Sequence, residues 1–365
     1  MREIHCPQTY RIQKEYPIYL GKGILEEVVK RIKPFQPNKV IVVTDSNVRK
    51  LYGEKITSIL RETFPTDLIE IPAGEEHKTF ECYQQLCHDI INEGVSKKTF
   101  LLLMGGGVLG NLAGFAASTI MRGLHFAHIP TTVMAQVDST TGGKQAINLP
   151  QGKNLLGVFN DPQFILIDID FLKTLSPREI SCGLAECIKH ALCQDEAFAQ
   201  ELLRVLNPEA RYTEEQFISI IQKTIHLKIN VLRMDPKEIN EGKILVYGHT
   251  IGHAIETLSK GKLNHGEAIS IGMVAAAKAS VFFNEAKKNL IEIHETILKK
   301  AGLPTKIPSE ITIEQIISQL KYDKKIAPAG ELVLLEEIGK IHAIEGRIGD
   351  PVTADQVRTV LKECY

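Results

Sequence analysis

The 365 residues predict an α/β fold in the first half of the chain and an all-α fold in the second. Three observations carry this. Short, near-continuous apolar runs alternate with helical stretches up to about residue 170, the rhythm of parallel strands buried on both faces. One of those runs opens straight into a glycine-rich turn and then a helix. Beyond Pro177 the strand rhythm gives way to long stretches with helical periodicity.

Strands are expected at 39–44, 67–71, 99–104, 125–129 and 164–167, and helices at 178–192, 213–232, 251–258, 265–283 and 290–301. The punctuation Thr174-Leu175-Ser176-Pro177 marks the change, with Ser176 placed to cap the next helix and Pro177 suited to its first turn. The boundary is therefore set at 175/176: residues 1–175 a Rossmann-like sheet domain, residues 176–365 a helical one. A chain of this length is too long for one ordinary core.

Composition narrows the classes. Hydrophobic residues make up 44% and charged residues 24%, with a formal net charge of −1. Nothing there attracts nucleic acid or an acidic membrane. Seven cysteines, an odd number with no CxxC pair, suit reduced thiols in a cytoplasm better than a disulfide framework. No signal-peptide core stands at the N-terminus, and the apolar runs are expected to fall short of a membrane span. A soluble, cytoplasmic protein is expected.

Three loops follow predicted strands. Gly105-Gly106-Gly107-Val108-Leu109-Gly110-Asn111 lets backbone N–H groups approach a pyrophosphate, with a helix N-terminus behind them. Thr44-Asp45-Ser46-Asn47 offers the acid that commonly holds a ribose hydroxyl. Pro72-Ala73-Gly74-Glu75-Glu76-His77-Lys78 follows the next strand. All three lie at the carboxyl ends of strands, where open parallel sheets bind ligands. The glycine turn lacks the full GxGxxG spacing, so a ligand-free tight turn is its bland alternative.

The second half carries a metal signature. His249 and His253 stand four apart, so a helix projects both from one face, and His265 follows. Converging imidazoles are the usual way to hold zinc, and one capping plus one core histidine is the competing explanation. Glu186 lies with Lys189 on an otherwise apolar helix face, where a carboxylate is expensive unless paired or coordinating a cation. It is the candidate third ligand, with Glu256 and Glu267 as rivals on spacing. Within the first half, Asp138, Lys144, Lys153 and Asn154 sit in Gly-, Thr- and Asn-rich surroundings that suit a phosphorylated, hydroxylated ligand. Each lysine taken singly reads as a solvated surface charge.

GGGVLGNLAGF, MRG, PTTVMAQVDSTTGGKQAIN, GKNLLGVF, GLAECIKH, YGHTIGHAIE, NHGEAISIGM and YDKK occur in this order. Together they resemble the dehydroquinate synthase superfamily of sugar-phosphate cyclases, from about Tyr16 to Gly349. The resemblance implies an NAD-binding Rossmann-like domain, a helical metal domain and a homodimer acting on a small sugar phosphate. It implies Glu186, His249 and His265 as ligands of Zn2+, with Co2+ also suited. It implies His253 and Glu238 in proton transfer, Asp138 and Lys144 with them at the reacting centre, and Arg122, Asn154, Lys189 and Lys228 on the substrate. A lysine of Asp323-Lys324-Lys325 is implied near the phosphate. For NAD it implies Asp45, Asn47, Glu75, Lys78, Gly106, Gly107, Thr131, Thr132, Lys153 and Thr174, with Asn111 where an aspartate is usual. The implied reaction is transient oxidation of an alcohol, β-elimination of phosphate, re-reduction and aldol ring closure.

Two departures bear on the substrate. Dehydroquinate synthases carry an arginine and an asparagine where this chain has Gly242 and Val246. Depriving a buried carboxylate of its cation costs roughly 3–5 kcal/mol, so the charge argument favours a sugar phosphate without one. GGGVLGN, KQAIN and YGHTIGHAIE resemble 2-deoxy-scyllo-inosose synthases, which cyclise glucose 6-phosphate, whereas QVDSTTGGK, TLSPREI and YDKK look more like 3-dehydroquinate synthase. A glycerol-dehydrogenase-like oxidoreductase is a third reading. It expects an aspartate and a lysine where Asn111 and Gly114 stand.

Overall fold

The computed structural model describes residues 15–320 and 330–365. Six parallel strands, β1 (Ile18–Gly21), β2 (Lys39–Asp45), β3 (Thr66–Ile71), β4 (Thr99–Gly105), β5 (His125–Pro130) and β8 (Ile165–Asp168), form one sheet in the order β1-β8-β5-β4-β2-β3. Helices α1 (Glu27–Ile32), α3 (Glu54–Arg61), α4 (Phe80–Asn92) and α5 (Gly107–Thr119) accompany the strands, with a short turn α2 (Ser46–Val48) after β2. Alternate residues of β2 and β4 serve different cores. Ile41, Val43, Leu101 and Leu103 join one apolar cluster, while Val40, Val42, Leu102 and Met104 join the other. Both faces are covered, which is why these strands read as unbroken apolar runs.

The chain leaves β2 for β3 on one side and returns to β4 on the other. The strand order thus reverses between β2 and β4, and their carboxyl ends, Asp45 and Gly105, flank the crevice where such sheets take ligands. Five strands stand where expected, within one residue at most bounds. The sequence reading missed β1 and the antiparallel hairpin of β6 (Lys144–Leu149) and β7 (Gly152–Phe159).

Helices dominate the rest: α6 (Pro177–Gln194), α7 (Glu196–Val205), α8 (Glu214–Met234), α9 (His249–Leu258), α10 (His265–Asn284), α11 (Asn289–Lys300), α12 (Ile313–Leu320) and α13 (Ala354–Lys362), with two-stranded ribbons near the C-terminus. Ser176 caps α6 through a full capping box with Glu179, and Pro177 opens the helix. Ile165 and Ile167 of β8 share a core with Leu184 and Ile188 of α6, so the helices are built directly onto the sheet. One expectation is corrected. Helix α10 is long and apolar enough to cross a membrane by length and composition, but 72% of its apolar window is buried inside the protein. Its apolarity serves the core: from Gly266 to Ser280 almost every residue is buried.

Candidate metal and nucleotide site

Close backbone approach brings three metal-type donors together. On α6, a Cβ at Gly183 would lie 2.4 Å from Val133 Cβ and 2.5 Å from the Met134 nitrogen, so only glycine lets the helix seat there. Glu186 follows on that helix and is fully buried. Gly248 turns the chain with a φ of 74°, and His249 becomes the first residue of α9. Against that turn packs Gly272 of α10, where a Cβ would stand 2.0 Å from the Gly248 carbonyl oxygen. Asn264 caps α10 in a capping box with Glu267, leaving His265 as the first helical residue.

His249 Nε2 and His265 Nε2 lie 3.3 and 3.4 Å from the same atom, Glu186 Oε1. A tetrahedral cation with bonds of about 2.0–2.1 Å spaces its donors about 3.3–3.4 Å apart. The outer nitrogens are pinned. His249 Nδ1 pairs with the Tyr247 carbonyl oxygen at 3.1 Å, and His265 Nδ1 with Glu256 Oε2 at 3.1 Å. Each ring thereby donates outward through Nδ1 and aims Nε2 inward, the nitrogen a metal takes once its proton has left. Both Glu186 oxygens are buried and in no hydrogen-bond geometry with protein groups, although the Lys189 ammonium stands against Oε2. These residues fit a cation.

Charge states follow from the surroundings. Burial opposes ionisation of Glu186, but the Lys189 ammonium and the two imidazoles outweigh it and hold the carboxyl well below its usual range. Burial would likewise neutralise His265, yet the carboxylates of Glu186 and Glu256 push it up to about 9. His249 is lowered, by burial first and Lys189 second. His253 sits beside both, ring centroids 5.1 Å from His249 and 5.6 Å from His265. One edge of it is open to solvent, while the protein around the rest of the ring and the two imidazoles keep it a neutral base.

Lys228 is buried and donates to both the carbonyl and Oδ1 of Asp138, at 2.5 and 2.6 Å. Against the burial of Asp138, that ammonium holds it ionised. Asp138, Glu186 and His190 offer donor atoms within 4.8 Å of one another, so the lysine-bearing cluster abuts the metal-type one. Lys144 pairs with Glu238, which sits at a φ of 57°. Lys78, also buried, donates to Asn111 Oδ1 at 2.8 Å and Asn154 Oδ1 at 2.6 Å. Burial pushes it down to about 8. Asn111 Nδ2 donates to the Lys144 carbonyl at 2.8 Å, and Asn148 Nδ2 to Glu75 Oε1 at 2.8 Å. One network thus ties α5, the loop after β3 and the hairpin.

At the crevice, Gly106 caps α5 with no side-chain partner, leaving the first N–H groups of the helix available. Thr132 lies 3.4 Å from where a Gly106 Cβ would be, and Ser139 Oγ 2.8 Å from one on Gly107. Thr131 donates its N–H to the Gly105 carbonyl at 3.0 Å. Asp45 Oδ1 accepts from the Asn47 and Val48 amides at 2.9 and 3.0 Å, so half of that carboxylate caps α2. Thr174 Oγ1 is 2.9 Å from the Tyr52 hydroxyl.

Not every expected residue converges. Arg122 closes the turn after α5, at the end of that helix remote from the glycine loop, and is exposed without an ion pair among the described residues. Asp323, Lys324 and Lys325 lie outside the described residues. Of the rival carboxylates, Glu267 is taken by Arg178, at 2.6 Å, and by its capping box, whereas Glu256 stands on the outer side of His265. Sequence reasoning missed the anchoring roles of Glu256 and the Tyr247 carbonyl. Glu256 carried a signal, one turn beyond His253, but spacing cannot say which side of a ring an acid faces.

A doubly covered parallel sheet with a glycine turn at its switch point, joined to helices that focus one carboxylate and two imidazoles, defines a nucleotide-fold protein with a metal-type centre. Family profiles then name the group: 3-dehydroquinate synthase N-terminal matches residues 68–182 and 3-dehydroquinate synthase C-terminal residues 183–326. The chain belongs to the 3-dehydroquinate synthase family. It is 35% identical over 356 residues to a 2-deoxy-scyllo-inosose synthase of Streptomyces kanamyceticus, covering 96% of this chain and 91% of that one. It is 36% identical over 352 residues to a 3-dehydroquinate synthase of Halalkalibacterium halodurans, covering 96% of each. A crystal structure of 2-deoxy-scyllo-inosose synthase with carbaglucose-6-phosphate, NAD+ and Co2+ superposes with a TM-score of 0.91 at 31% identity, over 97% of this chain and 98% of that one.

Proposed function

We propose that this chain is an NAD- and zinc-dependent sugar-phosphate cyclase, a carbon–oxygen lyase whose substrate is a sugar phosphate without a carboxylate, glucose 6-phosphate being the leading case. The observation that carries the reading is the convergence of His249 Nε2 and His265 Nε2 on Glu186 Oε1, within reach of two buried ammonium groups. When bound, NAD takes up a hydride and returns it while zinc (or cobalt, which the donor set also suits) polarises the alcohol, so a net lyase reaction proceeds without net redox change.

The chain's own residues supply the rest. Lys189 and Lys228 hold positive charge where a departing phosphate needs it, and their pairing with Glu186 and Asp138 keeps them charged in a buried place. His253, a neutral base open to solvent at one edge, suits removal and return of a proton. Glu238 and Lys144 form a second acid–base pair. Thr131, Thr132 and the loops at Asp45, Glu75 and Gly106 frame the crevice assigned to the dinucleotide, and the division at residue 175/176 separates it from the helical metal half.

For the substrate, Gly242 supports the carboxylate-free reading. A Cβ there would meet Cβ and Cγ of Glu238 at 2.7 Å, so a guanidinium chain does not fit while Glu238 keeps its place. Val246 adds no charge. The second reading, 3-dehydroquinate synthase, is favoured by the equal similarity to that group. Phosphate release from glucose 6-phosphate, sedoheptulose 7-phosphate and the seven-carbon keto-acid phosphate tests the choice. Turnover of a carboxylate-free sugar without NADH accumulation is expected; rapid turnover of the keto-acid phosphate alone would overturn it, and net NADH formation from a simple polyol would replace it with a dehydrogenase.

The proposal includes a homodimer in the cytoplasm. Strand β7 leaves one edge unpaired and exposes Leu155 (54%) and Phe159 (64%), a surface that invites a second copy. The six described cysteines are free, in keeping with a reducing compartment.

A further inference from the structure

We propose that Glu256 is a positioning residue that couples the metal to the nucleotide, so that filling either site tightens the other. The inference rests on the reading above for what the two sites hold. Its observation is separate: one carboxylate pairs with both a metal-type imidazole and Lys153, a residue expected at the nucleotide. Glu256 Oε2 pairs with His265 Nδ1 at 3.1 Å, and Oε1 accepts from Lys153 Nζ at 2.5 Å. Lys153 is the second residue of β7, and its ammonium also stands 3.7 Å from Glu75 Oε1, on the loop after β3.

The two metal-type imidazoles are anchored differently. His249 donates to a backbone carbonyl, neutral and fixed by the helix turn behind it. His265 donates to a charged side chain whose other oxygen is held by a cation from the hairpin. A carboxylate acceptor makes an imidazole a stronger ligand, and shared negative charge makes it a weaker acceptor. Lys153, while bound to Glu256, draws part of that charge away. An anionic ligand in the crevice that recruits Lys153 returns it to His265 and strengthens the metal bond. By linkage, bound metal favours the anion by the same factor.

Zinc affinity is measured on the full chain by chelator competition, without and with saturating NAD+. The wild type should bind zinc at least about fivefold more tightly with NAD+ present. Glu256→Gln keeps an oxygen for His265 but no charge; it should bind zinc about tenfold more weakly and show no response to NAD+. Lys153→Met frees Glu256 for His265 and should bind zinc about as tightly as the NAD-saturated wild type, at least about fivefold above the NAD-free wild type, and also lose the response. Cobalt-loaded protein gives a second readout, visible bands that shift on adding NAD+ in the wild type and stay fixed in both variants. Zinc affinity indifferent to NAD+ in the wild type, or an intact response in Glu256→Gln, overturns the coupling. A His265→Ala variant that still binds zinc would sink the metal assignment instead.

Discussion

Glu186 has no solvent exposure, and a buried carboxylate survives only where cations surround it. Lys189 is one such cation, and the space between His249 and His265 suits another. Replacing Lys189 with Met should therefore destabilise the metal-free protein by about 3–5 kcal/mol and the zinc-loaded protein by much less. Urea denaturation with and without chelator separates the two, and equal losses would deny that zinc and Lys189 share one carboxylate. His265→Ala should abolish metal retention and turnover while NAD+ affinity falls only by the linkage factor of about fivefold, read by metal analysis and calorimetry. The lysines show where reading single residues stops. Neither Lys78 nor Lys228 stands in a spacing pattern that announces burial, yet both are buried. Their partners, Asn111 and Asn154 for Lys78 and Asp138 for Lys228, lie 33 to 90 positions away. Spacing along a helix does find Glu186 and Lys189, because i, i+3 neighbours share a face.

The site's geometry depends on how closely α9 and α10 pack. Gly272→Ala would place a methyl 2.0 Å from the Gly248 carbonyl oxygen and 2.8 Å from the Gly252 nitrogen. The helices must part, at a cost of about 1–3 kcal/mol, and His249 moves away from Glu186. Reduced melting temperature together with weakened zinc binding is expected; a variant with normal zinc affinity would show that the approach matters only for packing. Periodicity locates these helices to within a residue or two. It starts α9 late, at 251, because the left-handed Gly248 that launches it is a local backbone event with no periodic trace. It misses β7 altogether, since that strand is exposed along nearly its whole length and shows no inside–outside alternation. If that edge meets a second copy, Phe159→Lys should shift the protein from dimer to monomer in sedimentation, and an unchanged monomer in the wild type would remove the homodimer from the account.

At the scale of the molecule, buried neutral histidines set the acid limit. His128 is lowered to about 3 and His294 to about 4, in both cases first by burial. Both folded values lie below the ordinary 6.5, so the unfolded chain binds the extra protons. Stability is full above pH 6.5 and falls as pH drops towards 4, by about 3 kcal/mol per unit from these two groups. Urea midpoints across that range check the slope, and a flat profile down to pH 4.5 would contradict it. The fold class was legible because doubly buried parallel strands write themselves as apolar runs. The metal-type centre was legible in part, through histidine spacing, while the choice among Glu186, Glu256 and Glu267 needed the direction each side chain takes in space.

The account stands on one cation held by Glu186, His249 and His265. Anomalous diffraction at the zinc edge, from crystals grown with zinc and NAD+, tests that directly. It should show a single strong peak within about 2.0–2.2 Å of Glu186 Oε1, His249 Nε2 and His265 Nε2. A peak ligated by His253 or Glu256 in place of Glu186, or no peak between these groups at all, would contradict it.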